Sequence, residues 1–177
     1  MKSIFKYIIL TCILFLISDC KKYDEGGFVK QTRKHLFGNR KDGATKTWKL
    51  KLYEVNGIDS TLLILGANQI PDFYENYITF KLDNKEGFTY TAETFLCNYV
   101  GAIDNVYKEI TITKPFPNHL DSLQCKVVGS NTICTRNLLL PEGFFTSSLW
   151  KIKRLKKDEL IITNENLKNK YKIIFSQ

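Results

Sequence analysis

From Thr45 onward, apolar and polar side chains alternate with a period of two, the spacing of a strand with one buried face. Trp48, Leu50 and Leu52 fall on one face, and Lys49, Lys51 and Tyr53 on the other. Asn56-Gly57 then interrupts with a turn dipeptide. Tyr77–Leu82 repeats the pattern, with Ile78, Phe80 and Leu82 inward. Asp83-Asn84-Lys85-Glu86-Gly87 reads as a hairpin loop and residues 88–91 as the returning strand. Residues 95–100 and 108–114 predict two more strands. Pro115 and Pro117 end the second, because proline cannot donate to a ladder. Residues 125–128 and 131–134 flank a Gly129-Ser130 turn, and residues 149–155 and 160–163 flank Lys156-Lys157-Asp158-Glu159. The last strand covers residues 170–175, with Tyr171, Ile173 and Phe175 on one face. Eight to ten short strands and no long helical pattern predict an all-β sandwich or barrel. Leu62-Leu63-Ile64-Leu65 fits either a short helix capped by Asp59-Ser60-Thr61 or a buried strand, since four residues carry no distinguishing period.

Ahead of this domain the pattern differs. Residues 1–6 carry Lys2 and Lys6 and no acid, and residues 7–18 are dominated by Ile, Leu and Phe. A bilayer span needs about 20 apolar residues. A basic start with a shorter apolar run therefore reads as an export signal. Leu16-Ile17-Ser18-Asp19-Cys20 sets a cysteine directly behind that run, with polar Lys21-Lys22-Tyr23-Asp24-Glu25 after it. This resembles a bacterial lipobox, in which the cysteine thiol is acylated and the chain is cut just before it. Asp19 departs from the small residue usual there. The other reading is an ordinary signal peptide with an incidental cysteine. Acyl chains on Cys20 would anchor the protein, since each buried methylene contributes about 0.8 kcal/mol. Residues 21–44 are rich in Lys, Arg, Asp and Gly and predict a tether, roughly 80 Å when extended. Gly26-Gly27 favours flexibility at its membrane end. Residues 31–37 predict a short helix, with Leu36 and Phe37 over one end of the core. The expected organisation is a lipoprotein signal peptide at 1–19, a lipidated tether at 20–44 and a barrel domain at 45–177.

The 177 residues suffice for one domain with a single core. At 44% apolar content, the chain is neither a disordered polyampholyte nor a multi-pass membrane protein. The net charge of +8 invites a nucleic-acid reading, and cleavage before Cys20 removes Lys2, Lys6 and Asp19 to leave +7. Lys151 and Lys153 alternate with Trp150 and Ile152, as outward strand positions should, and charges there discourage edge pairing. A nucleic-acid surface needs exposed aromatics interleaved with the basic residues. Here the aromatics fall mostly inward, so no nucleic-acid partner is expected.

Two histidines and no Cys-x-x-Cys argue against a zinc or redox module. Cys97, Cys125, Cys134 and His119 have no ligand spacing, so no metal is expected. His119 with Asp121 lies in a loop without a nucleophile elbow, and no glycine-rich phosphate loop is present. The expectation is a protein without enzymatic activity, catalytic residues or cofactor. Around the Gly129-Ser130 turn, Val128 faces Asn131 as a hydrogen-bonded pair. Cys125 then faces Cys134 as a non-hydrogen-bonded pair, with Cα atoms roughly 4.5 Å apart. That separation lies within disulfide range, and an exported chain meets an oxidising compartment. The alternative is two reduced thiols on one strand face. Cys97 would be left free. Asp59-Ser60-Thr61 and Asp121-Ser122-Leu123 resemble O-glycosylation acceptor motifs of Bacteroidota, and otherwise are turns.

The order of several short motifs carries a family resemblance over most of the chain. A lipobox and a Lys-Lys-Tyr-acidic start precede Thr47-Trp48-Lys49-Leu50 and Val55-Asn56-Gly57-Ile58-Asp59-Ser60-Thr61. Ile78-Thr79-Phe80 with residues 83–91 follows, and Trp150-Lys151-Ile152 with residues 155–160 closes the series. Together they resemble the lipocalin-like lipoproteins of Bacteroidota. Lys46 stands where the lipocalin pattern has glycine, and residues 93–145 show no familiar pattern. The resemblance implies a small antiparallel up-and-down barrel of about eight strands, calycin-type. It also implies that Trp48 packs near the closed end against a late basic side chain, with Arg154 and Lys170 as candidates. Such a barrel is filled by side chains or holds one small apolar ligand. The candidate lining is Trp48, Leu50, Leu52, Ile78, Phe80, Phe88, Tyr90, Ile110, Ile112 and Trp150, which a filled core would use equally. The expected function is an exported lipoprotein of the cell envelope, anchored in the outer membrane, that binds a small apolar ligand. The alternative is a solid barrel that presents residues 66–76 and 114–123 to an envelope protein or polysaccharide.

Overall fold

In a computed structural model the chain is described over residues 21–62, 77–83, 89–94, 98–113, 123–128, 131–136, 138–141, 147–166 and 168–177. The strands are β1 (Thr45–Val55), β2 (Ile58–Asp59), β3 (Tyr77–Leu82), β4 (Thr89–Glu93), β5 (Asn98–Ile103) and β6 (Glu109–Thr113). They continue with β7 (Leu123–Val128), β8 (Asn131–Arg136), β9 (Ser147–Leu155), β10 (Glu159–Glu165) and β11 (Lys170–Ser176). A 3-10 turn at Val29–Gln31 leads into one short helix, α1 (Thr32–Phe37).

β1, β3, β4, β5, β6, β9, β10 and β11 pair antiparallel in that order, and β11 pairs back with β1. The result is an all-β, up-and-down, lipocalin-like barrel of eight strands, with β2 as one extra short strand on β1. Closure leaves no long free edge in the barrel. β7 and β8 form a separate hairpin inserted between β6 and β9.

Alternation holds along β3, which buries every second residue from Ile78, and along β9 from Ser148 to Ile152, beyond which its pairing with β10 shifts register. β1 departs from it. Its pairing with β11 shifts register between Leu50 and Leu52. Such an irregularity re-aims the residues beyond it. Tyr53 is consequently buried and Leu52 half-buried, the reverse of the alternation expected there. β5 begins at Asn98 and runs to Ile103, later than the strand expected at 95–100. Thr61 and Leu62 are helical, and the rest of that apolar run lies outside the described residues.

The stretch expected as a tether is folded onto the barrel. Lys22 bridges Phe28, the Val29 amide donates to the Lys21 carbonyl, and Tyr23 is buried. The Glu25 amide donates to the Lys153 carbonyl at 2.8 Å, and the Leu155 amide to the Gly26 carbonyl at 3.2 Å. α1 packs on β1, β3 and β9 with Leu36 and Phe37 fully buried, as expected of that helix. Gly38 ends it in the left-handed conformation at φ 78°, which glycine adopts without a Cβ penalty. This segment closes the end where β1 starts, here called the base. The connections β3–β4, β5–β6 and β9–β10 also lie at the base. The long connections at 60–76 and 114–146 leave from the opposite end, the top.

Candidate functional site

The interior of the barrel is the first place to look for a ligand. Its inward side chains come from all eight barrel strands, since alternation brings every second residue inside. Trp48, Phe80, Tyr90, Ile112, Trp150 and Phe175 each have 0% exposure. No water-sized sphere rests on these side chains, so no void of that size touches them. Packing is aromatic at the base, where Tyr90 lies 5.5 Å from Phe80 and 5.9 Å from Phe37 between ring centroids. Tyr90 also crosses onto its ladder partner Gly101, where a Cβ would collide with the ring. At the top, Leu138, Leu139 and Leu140 are buried against the core. The Leu139 carbonyl accepts from the Ser148 hydroxyl at 2.6 Å and from Trp150 Nε1 at 3.1 Å. Of the expected lining, Leu52 is only half-buried and Phe88 lies outside the described residues.

Trp48 sits at the base as expected, but its cation differs from the candidates. Lys46 Nζ stacks 3.7 Å from the Trp48 ring, one step back along the same strand face. Arg154 instead pairs with Glu159 at 2.8 Å, and Lys170 with Glu165 at 3.3 Å. Lys46 is only 7% exposed, and its ammonium donates to the carbonyls of His35 and Lys157. Trp48 Nε1 donates to the Leu36 carbonyl at 3.1 Å. One Lys–Trp pair thus ties α1 and the β9–β10 turn to β1. Burial pushes the Lys46 pKa down to about 8, against the opposing pull of Asp158. Alternation from Trp48 already sets position 46 inward, so the signal was present in the sequence.

A groove of about 470 Å³ lies across the wall formed by β9, β10, β11 and β1. Lys151, Lys153, Lys170 and Lys172 line it with Glu54 and Glu165, and Leu149, Thr163, Asn164 and Tyr171 complete it. Lys172 is 3.3 Å from Glu54 and Lys170 is 3.3 Å from Glu165, while Lys153 reaches out to Asp24 at 2.7 Å. Pairs at the protein surface contribute only about 0–1 kcal/mol. Their ammonium groups can therefore exchange a carboxylate for a ligand oxygen at small cost. Asn164 is 6% exposed, and its amide donates to the Leu149 carbonyl at 2.7 Å. Its Oδ1 is buried without a hydrogen-bond partner. Buried unsatisfied acceptors are costly to a fold.

The remaining expectations fall as follows. Cys125 and Cys134 are ladder partners, and Val128 pairs with Asn131, the register expected from the two-residue turn. Cys20, Cys97, His119, Asp121 and Ser122 lie outside the described residues, as do loop residues 66–76 and 114–122. At the other O-glycosylation-like motif, Thr61 donates to the Asp59 carboxylate at 2.6 Å, and its Oγ1 accepts from the Tyr53 amide. The Thr61 hydroxyl, helped by the Thr61 amide at 2.9 Å, holds Asp59 below the usual carboxylate range. No family model, curated protein or solved structure matches the chain.

Proposed function

We propose that this is an exported lipoprotein of the cell envelope, acylated on Cys20 and anchored in the outer membrane. Its barrel, which resembles those of the lipocalin-like lipoproteins of Bacteroidota in architecture, binds a polar, acidic partner on its outer wall. It acts by binding, without catalysis. The observation that carries this is the filled interior. Among the described residues, inward side chains with 0% exposure leave an apolar ligand no container, whereas such sites usually offer at least about 300 Å³. The groove supplies the alternative surface. Four lysines face two glutamates there. An acidic envelope polysaccharide fits this chemistry, with carboxylates for the lysines.

Titration with uronic-acid oligosaccharides, followed by NMR shifts of groove amides, tests the reading. The expected result is saturable shifts on β9 to β11, weakened at least tenfold by Lys151→Glu combined with Lys172→Glu. A long-chain fatty acid should produce no saturable shift in the barrel interior. Saturable fatty-acid binding with shifts at Trp48 and Trp150 would restore the internal-ligand reading.

A further inference from the structure

We infer that the anchor on Cys20 holds the base of the barrel directly on the bilayer, with a basic face seated on anionic lipid headgroups. The inference rests on the proposed acylation of Cys20. It contradicts the picture of a domain held away from the membrane on a leash. Fixed structure begins at the next residue: the Lys21 carbonyl accepts from the Val29 amide at 3.0 Å. Lys22 bridges Phe28, and Tyr23 is 4% exposed with its hydroxyl donating to the Tyr107 carbonyl at 2.7 Å. Two backbone hydrogen bonds then tie residues 25 and 26 to the end of β9. Only one Cα–Cα step, about 3.8 Å, separates the acylated residue from this fixed backbone. Lipid tails leaving Cys20 must enter the bilayer beside the base.

The surface around that exit has the chemistry of a headgroup contact. Lys21, Lys22, Lys30, Lys34, Lys156 and Lys157 are exposed. Their backbones are brought together at the base. The Lys156 side chain passes beside Gly26, and the carbonyls of Lys157 and His35 meet on the same Lys46 ammonium. The acids beside them are fewer: Asp24, engaged by Lys153, and the exposed Glu25 and Asp158. Phe28 adds an exposed ring at 40%, with Lys22 Nζ 5.3 Å from its centroid. An apolar ring flanked by lysines suits the boundary between headgroups and acyl chains. Lysines near a negatively charged leaflet add to an acyl anchor. In this pose the top of the barrel, where β1 and β6 end, faces away from the membrane.

Lysine footprinting tests this on the full chain recovered from its own membranes. It would be reconstituted in vesicles of phosphatidylcholine with phosphatidylglycerol, with the soluble Cys20→Ser chain as reference. Mass spectrometry first reads the acyl mass on Cys20. The expected result is several-fold slower acetylation of Lys21, Lys22, Lys156 and Lys157 in vesicles, with Lys168 and Lys170 unchanged. Protection should weaken in phosphatidylcholine alone. An acylated chain whose base and top lysines react equally overturns the inference and leaves the lipoprotein reading standing. An unacylated Cys20 overturns both.

Discussion

Lys46 concentrates the electrostatics of the base in one side chain. Its ammonium is buried, stacked on Trp48 and held by two carbonyls, yet burial still lowers its pKa from 10.5 to about 8. Between those values the unfolded chain keeps a proton that the folded chain has released, so stability rises with pH across that window. Tyr23 works in the opposite sense. Burial raises its pKa from 10.0 to about 12, so its contribution is complete below pH 10 and is lost as pH climbs through 12. Tyr90, buried beneath Gly101, is raised in the same direction. Urea titrations should show stability rising from pH 8 toward 10 and falling above it. In Lys46→Met the rise should vanish while the fall remains.

At the scale of elements, α1 and the N-terminal segment behave as part of the barrel. Leu36→Ala and Phe37→Ala should each cost about 3 kcal/mol in urea unfolding, as for other fully buried large side chains. A free tether would show no loss. The β7–β8 hairpin makes a different prediction. With Cys125 directly opposite Cys134, oxidation should close a short loop stabilised by about 2–3 kcal/mol. Non-reducing peptide mapping should recover these two cysteines as one linked peptide pair. Two alkylatable thiols would mean that the hairpin stays reduced.

At the scale of the whole molecule, the described residues form a closely packed barrel with two unlike ends. The base is shut by α1, Tyr23 and Val29, and Leu138, Leu139 and Leu140 are packed in from the top. Most of this was legible. Strands with one buried face must alternate, and that pattern located nearly every barrel strand and the helix over the base. The β1 irregularity was not legible, because a register shift changes which residue faces inward without changing composition. The docking of residues 21–28 was also hidden. Much of it consists of backbone hydrogen bonds from Glu25 and to Gly26, which leave no side-chain signature. The run Leu138-Leu139-Leu140 was visible, but only its contact with Ser148 and Trp150 gives it a role.

The sequence alone determined the all-β class and the Cys125–Cys134 register, whereas the up-and-down strand order was only implied by the family resemblance. The class and the register follow from local alternation and turn length, which act between near neighbours in the chain. Tertiary structure alone decided whether the barrel is hollow, because the same apolar residues line a cavity or fill it. It also decided the partner of Trp48 and the groove of lysines on β9 to β11. These depend on side chains meeting across strands far apart in sequence, where periodicity carries no information.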